Sequence, residues 1–78
     1  MKIIDISECL VGFGKFVREK REKTNLYQTD MAKQLGITQA YYSNIERGTR
    51  NVDLVLALKI CQILNLDLND FIQTYLEK

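Results

Sequence analysis

No proline occurs in the 78 residues of this chain, and only four residues are glycine. Helices can therefore run for several turns with few breaks, because proline and glycine are the residues that most often end them. Neither alternating strand patterns nor hairpin dipeptides stand out, apart from one candidate extended stretch over residues 2–6. The sequence predicts an all-α fold, and its length corresponds to one small domain.

Caps and stop residues divide the chain into five helical segments. We expect helices over residues 10–23, 28–35, 39–46, 54–64 and about 68–76. The expected caps and stops are Thr38, Asp53 and Asp67 at N-termini, Gly36 and Gly48 at C-termini, and Ser7 if the first helix starts earlier. Residues 1–9 are then a short apolar N-terminal extension, and residues 10–78 are the helical domain.

Residues that commonly carry catalysis or bind metals are scarce. Histidine, the commonest general base and metal ligand, is absent. Cys9 and Cys61 lack C-x-x-C spacing and cannot assemble a zinc site; we expect free thiols packed among apolar residues, with a disulfide as the alternative. No Gly-rich phosphate loop, nucleophile elbow or paired-carboxylate pattern occurs. The sequence predicts a protein that is not an enzyme and needs no metal or other cofactor.

The chain also lacks the patterns of membrane and exported proteins. No apolar run approaches the ~18–20 residues that cross a bilayer. The N-terminus, MKIIDISECL, is too short and too acidic for a signal peptide. We expect a cytoplasmic protein with no membrane partner.

Positive charge is concentrated in the middle of the sequence. Residues 15–50 hold eight basic and four acidic side chains, whereas the net charge of the whole chain is +1. The segments on either side are therefore net acidic. A basic middle can meet phosphates, although a solvated helix face is the alternative explanation of the same charges.

The most informative stretch is residues 28–50, QTDMAKQLGITQAYYSNIERGTR, in which two short helices meet across a three-residue turn. Ala32 is small where the helices approach closely, and Gly36 tolerates the positive φ that redirects the chain. Apolar side chains that hold the crossing angle are Met31, Leu35, Ile37, Tyr42 and Ile45. The outward positions of the second helix carry Gln39, Ala40, Tyr41, Ser43 and Asn44. Short uncharged side chains of this kind suit hydrogen bonding to DNA base edges.

These residues resemble the phage repressor-like (Cro-type, xenobiotic-response-element) helix-turn-helix regulators. The resemblance covers residues 13–71 and rests on the segments LYQTDMAKQLGIT, QAYYSNIERGTRN and LVLALKICQILNLDLNDF. The run YYSNIERGTRN is similar to the controller proteins of restriction–modification systems and also to phage and plasmid repressors, so the subfamily stays open. The resemblance implies a compact five-helix, lambda-repressor-like DNA-binding domain whose third helix lies in the DNA major groove.

Roles for individual residues follow from that resemblance. Candidate base-reading residues are Gln39, Ala40, Tyr41 and Asn44. Candidate phosphate or groove contacts are Gln28, Thr38, Ser43, Arg50 and Asn51. For Gln39 and Arg50 the alternative is an ordinary surface side chain.

Other positions are expected to support this surface. Arg21 and Glu46 match a structural ion pair, and Tyr42 is expected in the core with its hydroxyl near a phosphate. Tyr27 stands where the family has a Ser or Thr cap, so the N-terminus of the second helix must be satisfied in another way. Asn25 replaces a glycine that is common in this turn, and asparagine tolerates the left-handed backbone geometry that the turn needs.

Apolar side chains exceed what a chain of 78 residues is expected to bury. We expect a symmetric homodimer through the fifth helix and the end of the fourth, with two third helices ~34 Å apart. The expected interface residues are Leu68, Phe71, Ile72, Tyr75 and Leu76. Ile3, Ile4 and Ile6 are expected to cover Phe16 or join the dimer. The alternative is that these side chains complete one tight monomer core.

The sequence therefore predicts a cytoplasmic, homodimeric regulator that binds a palindromic operator in double-stranded DNA. A repressor or autoregulator is favoured, and a regulatory protein partner is more in keeping with the sequence than a small effector. The alternative function is a protein-binding module, an antitoxin or antagonist, that uses the apolar fourth and fifth helices and binds DNA only secondarily.

Overall fold

The computed structural model describes residues 5–76, with side chains through residue 75. Five helices follow one another: α1 (Ile6–Lys23), α2 (Gln28–Leu35), α3 (Gln39–Arg47), α4 (Leu54–Leu64) and α5 (Leu68–Phe71), which continues as a π-helical segment (Ile72–Leu76). Residues 5–76 contain no strand. The predicted all-α class is confirmed, and the five helices occur in the predicted order.

The start of α1 differs from the prediction. The Asp5 carboxylate accepts the backbone N–H groups of Ser7 at 2.8 Å and Glu8 at 3.3 Å, so the helix begins at Ile6. Ser7 therefore lies inside the helix and does not cap it, and the boundary expected between residues 9 and 10 falls within α1. Asp5 has the favoured chemistry of an N-cap, but it lies within residues 2–6, which were expected to be extended. Ile6 is helical, while residues 2–4 lie outside the described residues.

The expected caps Thr38, Asp53 and Asp67 and the expected stops Gly36 and Gly48 are confirmed. Thr38 accepts the backbone N–H of Tyr41, and Asp53 accepts that of Leu56. At the N-terminus of α2, Tyr27 supplies no side-chain acceptor, but its own N–H donates to the Asp30 carboxylate at 2.8 Å. The departure from a Ser or Thr cap is thus partly compensated three residues later.

The core lies where α1, α2, α3 and α4 meet. Its largest fully buried side chains are Tyr42, Met31, Ile45, Ile60, Leu64 and Val17. Both cysteines are free; Cys61 belongs to this core and Cys9 packs against its edge. Burial raises the pKa of the Cys61 thiol, so it packs as a small apolar side chain.

Phe71 of α5, one of the residues expected at a dimer interface, is part of this core. It is 5% exposed, and its ring lies 5.5 Å from that of Phe13 and 5.6 Å from that of Phe16. Phe16 is therefore partly covered by aromatic rings of the fifth helix and the segment after it. Helical spacing marked one side of α5 as apolar but could not specify what that side packs against.

The remaining residues of the expected interface are divided between core and surface. Leu68 and Tyr75 are half-buried against the core, and Ile72 is exposed. The Leu76 side chain lies outside the described residues. α5 and the π-helical segment after it therefore mainly pack against the core of their own chain.

The exposed apolar face lies on the first turns of α4, not on its end. Leu54, Val55 and Leu58 are 70%, 62% and 49% exposed. Near the other end of this helix, Ile60 and Leu64 are buried. None of the helices in residues 5–76 is long and apolar enough to cross a membrane.

Candidate nucleic-acid interface

A buried ion pair fixes α3 against the rest of the molecule. Nε of Arg21 in α1 donates to Oε2 of Glu46 in α3 at 2.6 Å, and Nη2 donates to Oε1 at 3.0 Å. Nη1 of the same arginine donates to the carbonyl oxygen of Leu26 at 2.8 Å. The two residues that the family resemblance paired are thus joined in a bidentate contact, and Arg21 also holds the loop between α1 and α2.

Glu46 remains charged within this network. Burial alone would raise the pKa of its carboxyl, but hydrogen bonds from Arg21 and Gln28 and the nearby Tyr42 hydroxyl outweigh burial and hold that pKa below its ordinary value. Hydrogen bonding to Glu46 in turn raises the pKa of Arg21. Both partners therefore carry their charges at neutral pH.

Gln28 lies at the start of α2, where a phosphate contact was expected. Its side-chain Nε2 donates to Oε1 of Glu46 at 3.0 Å. The side-chain amide thus braces α3, and α2 is tied to the same carboxylate as α1.

The Tyr42 hydroxyl does not reach the surface, contrary to the expectation that it lies near a phosphate. The residue is fully buried, and its hydroxyl oxygen has no hydrogen-bond partner among the described residues. Burial raises the pKa of this hydroxyl, and the neighbouring Glu46 carboxylate raises it further. The ring is a core side chain, and its hydroxyl lies beside the ion pair of Arg21 and Glu46.

The side of α3 that faces away from Tyr42 and Glu46 is accessible to solvent. Gln39 and Ala40 are exposed at its first turn, while Tyr41, Ser43 and Asn44 are half-buried. The hydroxyl of Thr38 is occupied as the N-cap, and that of Ser43 accepts from Nη2 of Arg47 at 2.8 Å. This outer face of α3 brings the four candidate base-reading residues to one side of the helix.

The loop after α3 folds back beside this face. The guanidinium carbon of Arg50 lies 3.9 Å from the centre of the Tyr41 ring. An open depression of about 610 Å³ separates α3 from the start of α4, and its lining residues are Tyr41, Asn44, Thr49, Arg50, Asn51, Val52 and Asp53. The structure therefore places Arg50 and Asn51, which were predicted as DNA contacts, next to the outer face of α3.

Two neighbours of this surface were not singled out from the sequence. Arg47 is exposed and bonded to Ser43, and Thr49 lines the depression. The signal for Arg47 was its place beside Arg50 in the basic run that ends the informative stretch. Within residues 5–76, no group of three or more His, Cys, Asp or Glu side chains could hold a metal ion.

α2 and α3 are two short helices joined at a left-handed glycine, and the second exposes polar side chains beside Arg50. This arrangement defines a helix-turn-helix domain. The chain belongs to the helix-turn-helix family, whose model matches residues 17–71. It is therefore a transcription regulator of this family.

The chain is also similar in sequence and structure to individual proteins of this class. The chain is 38% identical over 66 residues to control protein C.MunI of a Mycoplasma species, covering 83% of this chain and 89% of that one. It is 39% identical over 56 residues to the ImmF control region 10 kDa protein of Bacillus phage phi105; these residues are 72% of this chain and span only 62% of the phage protein. The crystal structure of the restriction-modification controller protein C.AhdI from Aeromonas hydrophila matches with a TM-score of 0.72 and 37% identity, over 80% of this chain and 94% of that one. The resemblance to controller proteins that the sequence indicated is confirmed.

Proposed function

We propose that this protein regulates transcription by binding one specific sequence in double-stranded DNA, with the outer face of α3 in the major groove. The observation that carries the proposal is the exposed, uncharged first turn of α3 beside Arg50 of the following loop. Uncharged hydrogen-bonding groups distinguish base edges, whereas arginines attract any phosphate. One helix face that combines both provides affinity and selectivity together.

Each residue of this surface has a role that its position supports. Gln39 makes no side-chain hydrogen bond to any described residue, so its amide is free to pair bidentately with adenine. Ala40, Tyr41 and Asn44 read neighbouring bases from the same face. The phosphate or groove contacts are Thr38, Ser43, Arg50, Asn51 and, through its backbone N–H because its side-chain nitrogen binds Glu46, Gln28.

Selection from a random pool of DNA duplexes at ~150 mM salt tests the proposal, because non-specific phosphate binding is weak at such salt. The wild-type chain is expected to recover one preferred sequence. Gln39→Ala is expected to lose about 1–3 kcal/mol of discrimination at its base pair while keeping the salt dependence.

Gln73→Ala is the matched control, since it removes an exposed glutamine amide outside this surface. Unchanged discrimination in Gln39→Ala would remove Gln39 from base reading. A wild-type chain that enriches no sequence would contradict the proposed function itself.

The proposed unit is a homodimer that covers the exposed apolar face of α4 and binds a palindromic operator. Leu54, Val55 and Leu58 lie together on this face and are 49–70% exposed, an arrangement that marks an interface. A second copy of this chain is the proposed occupant, because a two-fold axis through one self-complementary face gives the two copies of α3 equivalent positions. Successive major grooves on one side of DNA are ~34 Å apart, and the operator would then have two matching halves.

The proposed setting is the cytoplasm, with repression of a promoter, including the protein's own, as the favoured outcome. A dimer seated on an operator blocks access of other proteins to the same DNA. The α4 face also supports a second candidate, capture of a different protein as an antitoxin or antagonist. The oligomeric state of the pure chain separates these functions, since a monomer would leave the face open for that other protein.

A further inference from the structure

Arg50 lies in the loop after α3, and its guanidinium packs over an aromatic ring. Its guanidinium carbon lies 3.9 Å above the ring of Tyr41, nine residues earlier in the chain. The backbone turn at Gly48 allows this contact, because its φ of 75° reverses the chain at the end of α3. Thr49 then fixes the loop: its N–H and its hydroxyl both donate to the carbonyl oxygen of Asn44, at 3.1 and 3.3 Å.

The two side chains differ in how firmly they are held. Tyr41 is half-buried and packs against the core, and its backbone N–H is bonded to the Thr38 hydroxyl. Arg50 is exposed and forms no hydrogen bond or ion pair with any side chain that the structure describes. Asp53 borders the same depression, but its carboxylate caps α4. The ring is thus the fixed partner, and the guanidinium is the group that it holds.

We propose that Tyr41 is a positioning residue that presents Arg50 to the DNA backbone as part of a preformed surface. The inference rests on the proposed function and adds an order of action, in which the ring acts through the arginine. A ring contact covers one face of the planar guanidinium and leaves its in-plane N–H donors free. Those donors can bind two phosphate oxygens at once, while the stack reduces the rotamer freedom lost on binding.

If Tyr41 positions Arg50, this uncharged side chain is responsible for part of the salt dependence of DNA affinity. Each cation that neutralises a phosphate contributes about one to the slope of log affinity against log salt concentration. Loss of the Tyr41 ring should lower that slope towards the value of Arg50→Gln, although it removes no charge. A tyrosine that only touched bases or packed against the core would not change the slope.

A double-mutant cycle on the duplex that the wild-type chain selects from a random pool provides the test. Tyr41→Leu is expected to lower affinity about two- to fivefold, the value of an exposed cation–π contact, and to lower the salt slope. In the Arg50→Gln background, Tyr41→Leu is expected to cause a smaller loss than in the wild-type background, because only the contacts of Tyr41 with bases are then removed. Tyr41→Phe keeps the ring and should keep the coupling to Arg50.

Two controls guard against misreading the cycle. Lys15→Gln removes an exposed cation of α1 that has been given no DNA contact, and it should change the slope less than Arg50→Gln. Proton NMR of the free protein reports the stack without DNA, since ring current shifts the Arg50 side-chain protons. That shift should vanish in Tyr41→Leu and persist in Tyr41→Phe.

The positioning role would be overturned, while DNA binding stands, if the affinity losses of the two single variants multiply in the double variant. It would also be overturned if Tyr41→Leu leaves the salt slope unchanged. Absence of the ring-current shift in the wild-type chain would overturn it as well. If the wild-type chain selects no sequence from the pool, the proposed function fails and this inference falls with it. Coupling of the two side chains together with a lowered slope supports the proposal.

Discussion

Glu46 accepts hydrogen bonds from both Arg21 and Gln28, so one carboxylate joins α1, α2 and α3. Its side chain is 2% exposed and that of Arg21 is 11% exposed. A buried pair contributes little net stability over an apolar replacement, but removal of one partner leaves a buried charge without compensation. At the scale of single residues, this carboxylate therefore sets the angle at which α3 presents its outer face.

Glu46→Gln is expected to lower the free energy of unfolding by about 3–5 kcal/mol, because Arg21 keeps its charge and loses its counter-ion. Urea unfolding measures the change. Glu22→Gln is the matched control: it makes the same substitution in an exposed pair, 3.9 Å from Arg18, and should cost less than about 1 kcal/mol. Equal effects of the two substitutions would contradict a structural role of the buried pair.

The same carboxylate predicts a pH dependence of stability. Its pKa in the folded protein lies below the ordinary 4.5, so its stabilising contribution is fully present above that value and is lost as pH falls through the folded pKa. The difference in unfolding free energy between wild type and Glu46→Gln should therefore shrink as the pH falls below about 4.5. Urea unfolding at a series of pH values checks this, and a difference that grows on acidification would refute it.

At the scale of elements, α1 is held against the C-terminal end of α3 by a backbone approach at Gly14. A Cβ atom at this position would lie 2.6 Å from the carbonyl oxygen of Ile45 and closer still to that of Glu46. Glycine inside a helix is otherwise unfavourable by about 1 kcal/mol relative to alanine. The close contact explains its presence, and it brings Arg21, two turns further along α1, within reach of Glu46.

Gly14→Ala should destabilise the protein by about 1–3 kcal/mol despite the better helix propensity of alanine, because the new methyl group forces α1 away from α3. Gly12→Ala makes the same change two residues earlier, where the nearest atom to the new Cβ is Cδ1 of Tyr75 at 3.4 Å. That variant should be neutral or slightly more stable. Thermal unfolding of both variants measures these changes in stability. A Gly14→Ala variant as stable as wild type would show that α1 and α3 can separate at little cost.

At the scale of the whole molecule, stability and assembly are linked. A chain of 78 residues buries only ~60–65% of its unfolded surface, and α4 still exposes Leu54, Val55 and Leu58. Association through this face would add buried apolar area at roughly 25 cal/mol per Å². The melting temperature of a dimer then rises with protein concentration.

Val55→Asp should convert the dimer to a monomer in sedimentation experiments and abolish the dependence of melting temperature on concentration. A charge at the centre of an apolar interface is costly to bury, while the same charge on a monomer surface is solvated. Ile6→Asp is the control, since it places the same charge on an apolar residue that is 74% exposed on α1. A Val55→Asp variant that remains dimeric would move the interface away from the first turns of α4.

Much of the candidate interface could be read from residues 28–50. The turn at Gly36, the cap at Thr38 and the outward face of α3 depend on contacts between residues a few positions apart, which spacing reveals. The pairing of Arg21 with Glu46 came from resemblance to a family, since the two residues are far apart in sequence. The place of Arg50 over Tyr41 could not be read in either way, because it depends on the path of the chain after Gly48.

By itself, the sequence determined which segments are helical, where most of them end, and which residues α3 can offer to DNA, because these features follow from local hydrogen bonds and side-chain spacing. The tertiary structure decided which apolar faces meet. It placed Phe71 inside and Val55 outside, although both lie on apolar helices. It also turned the Tyr42 hydroxyl inward and brought α1 against α3 at Gly14. The physical reason is that an apolar pattern defines a face to be covered, whereas only the packing of all the helices together selects what covers it.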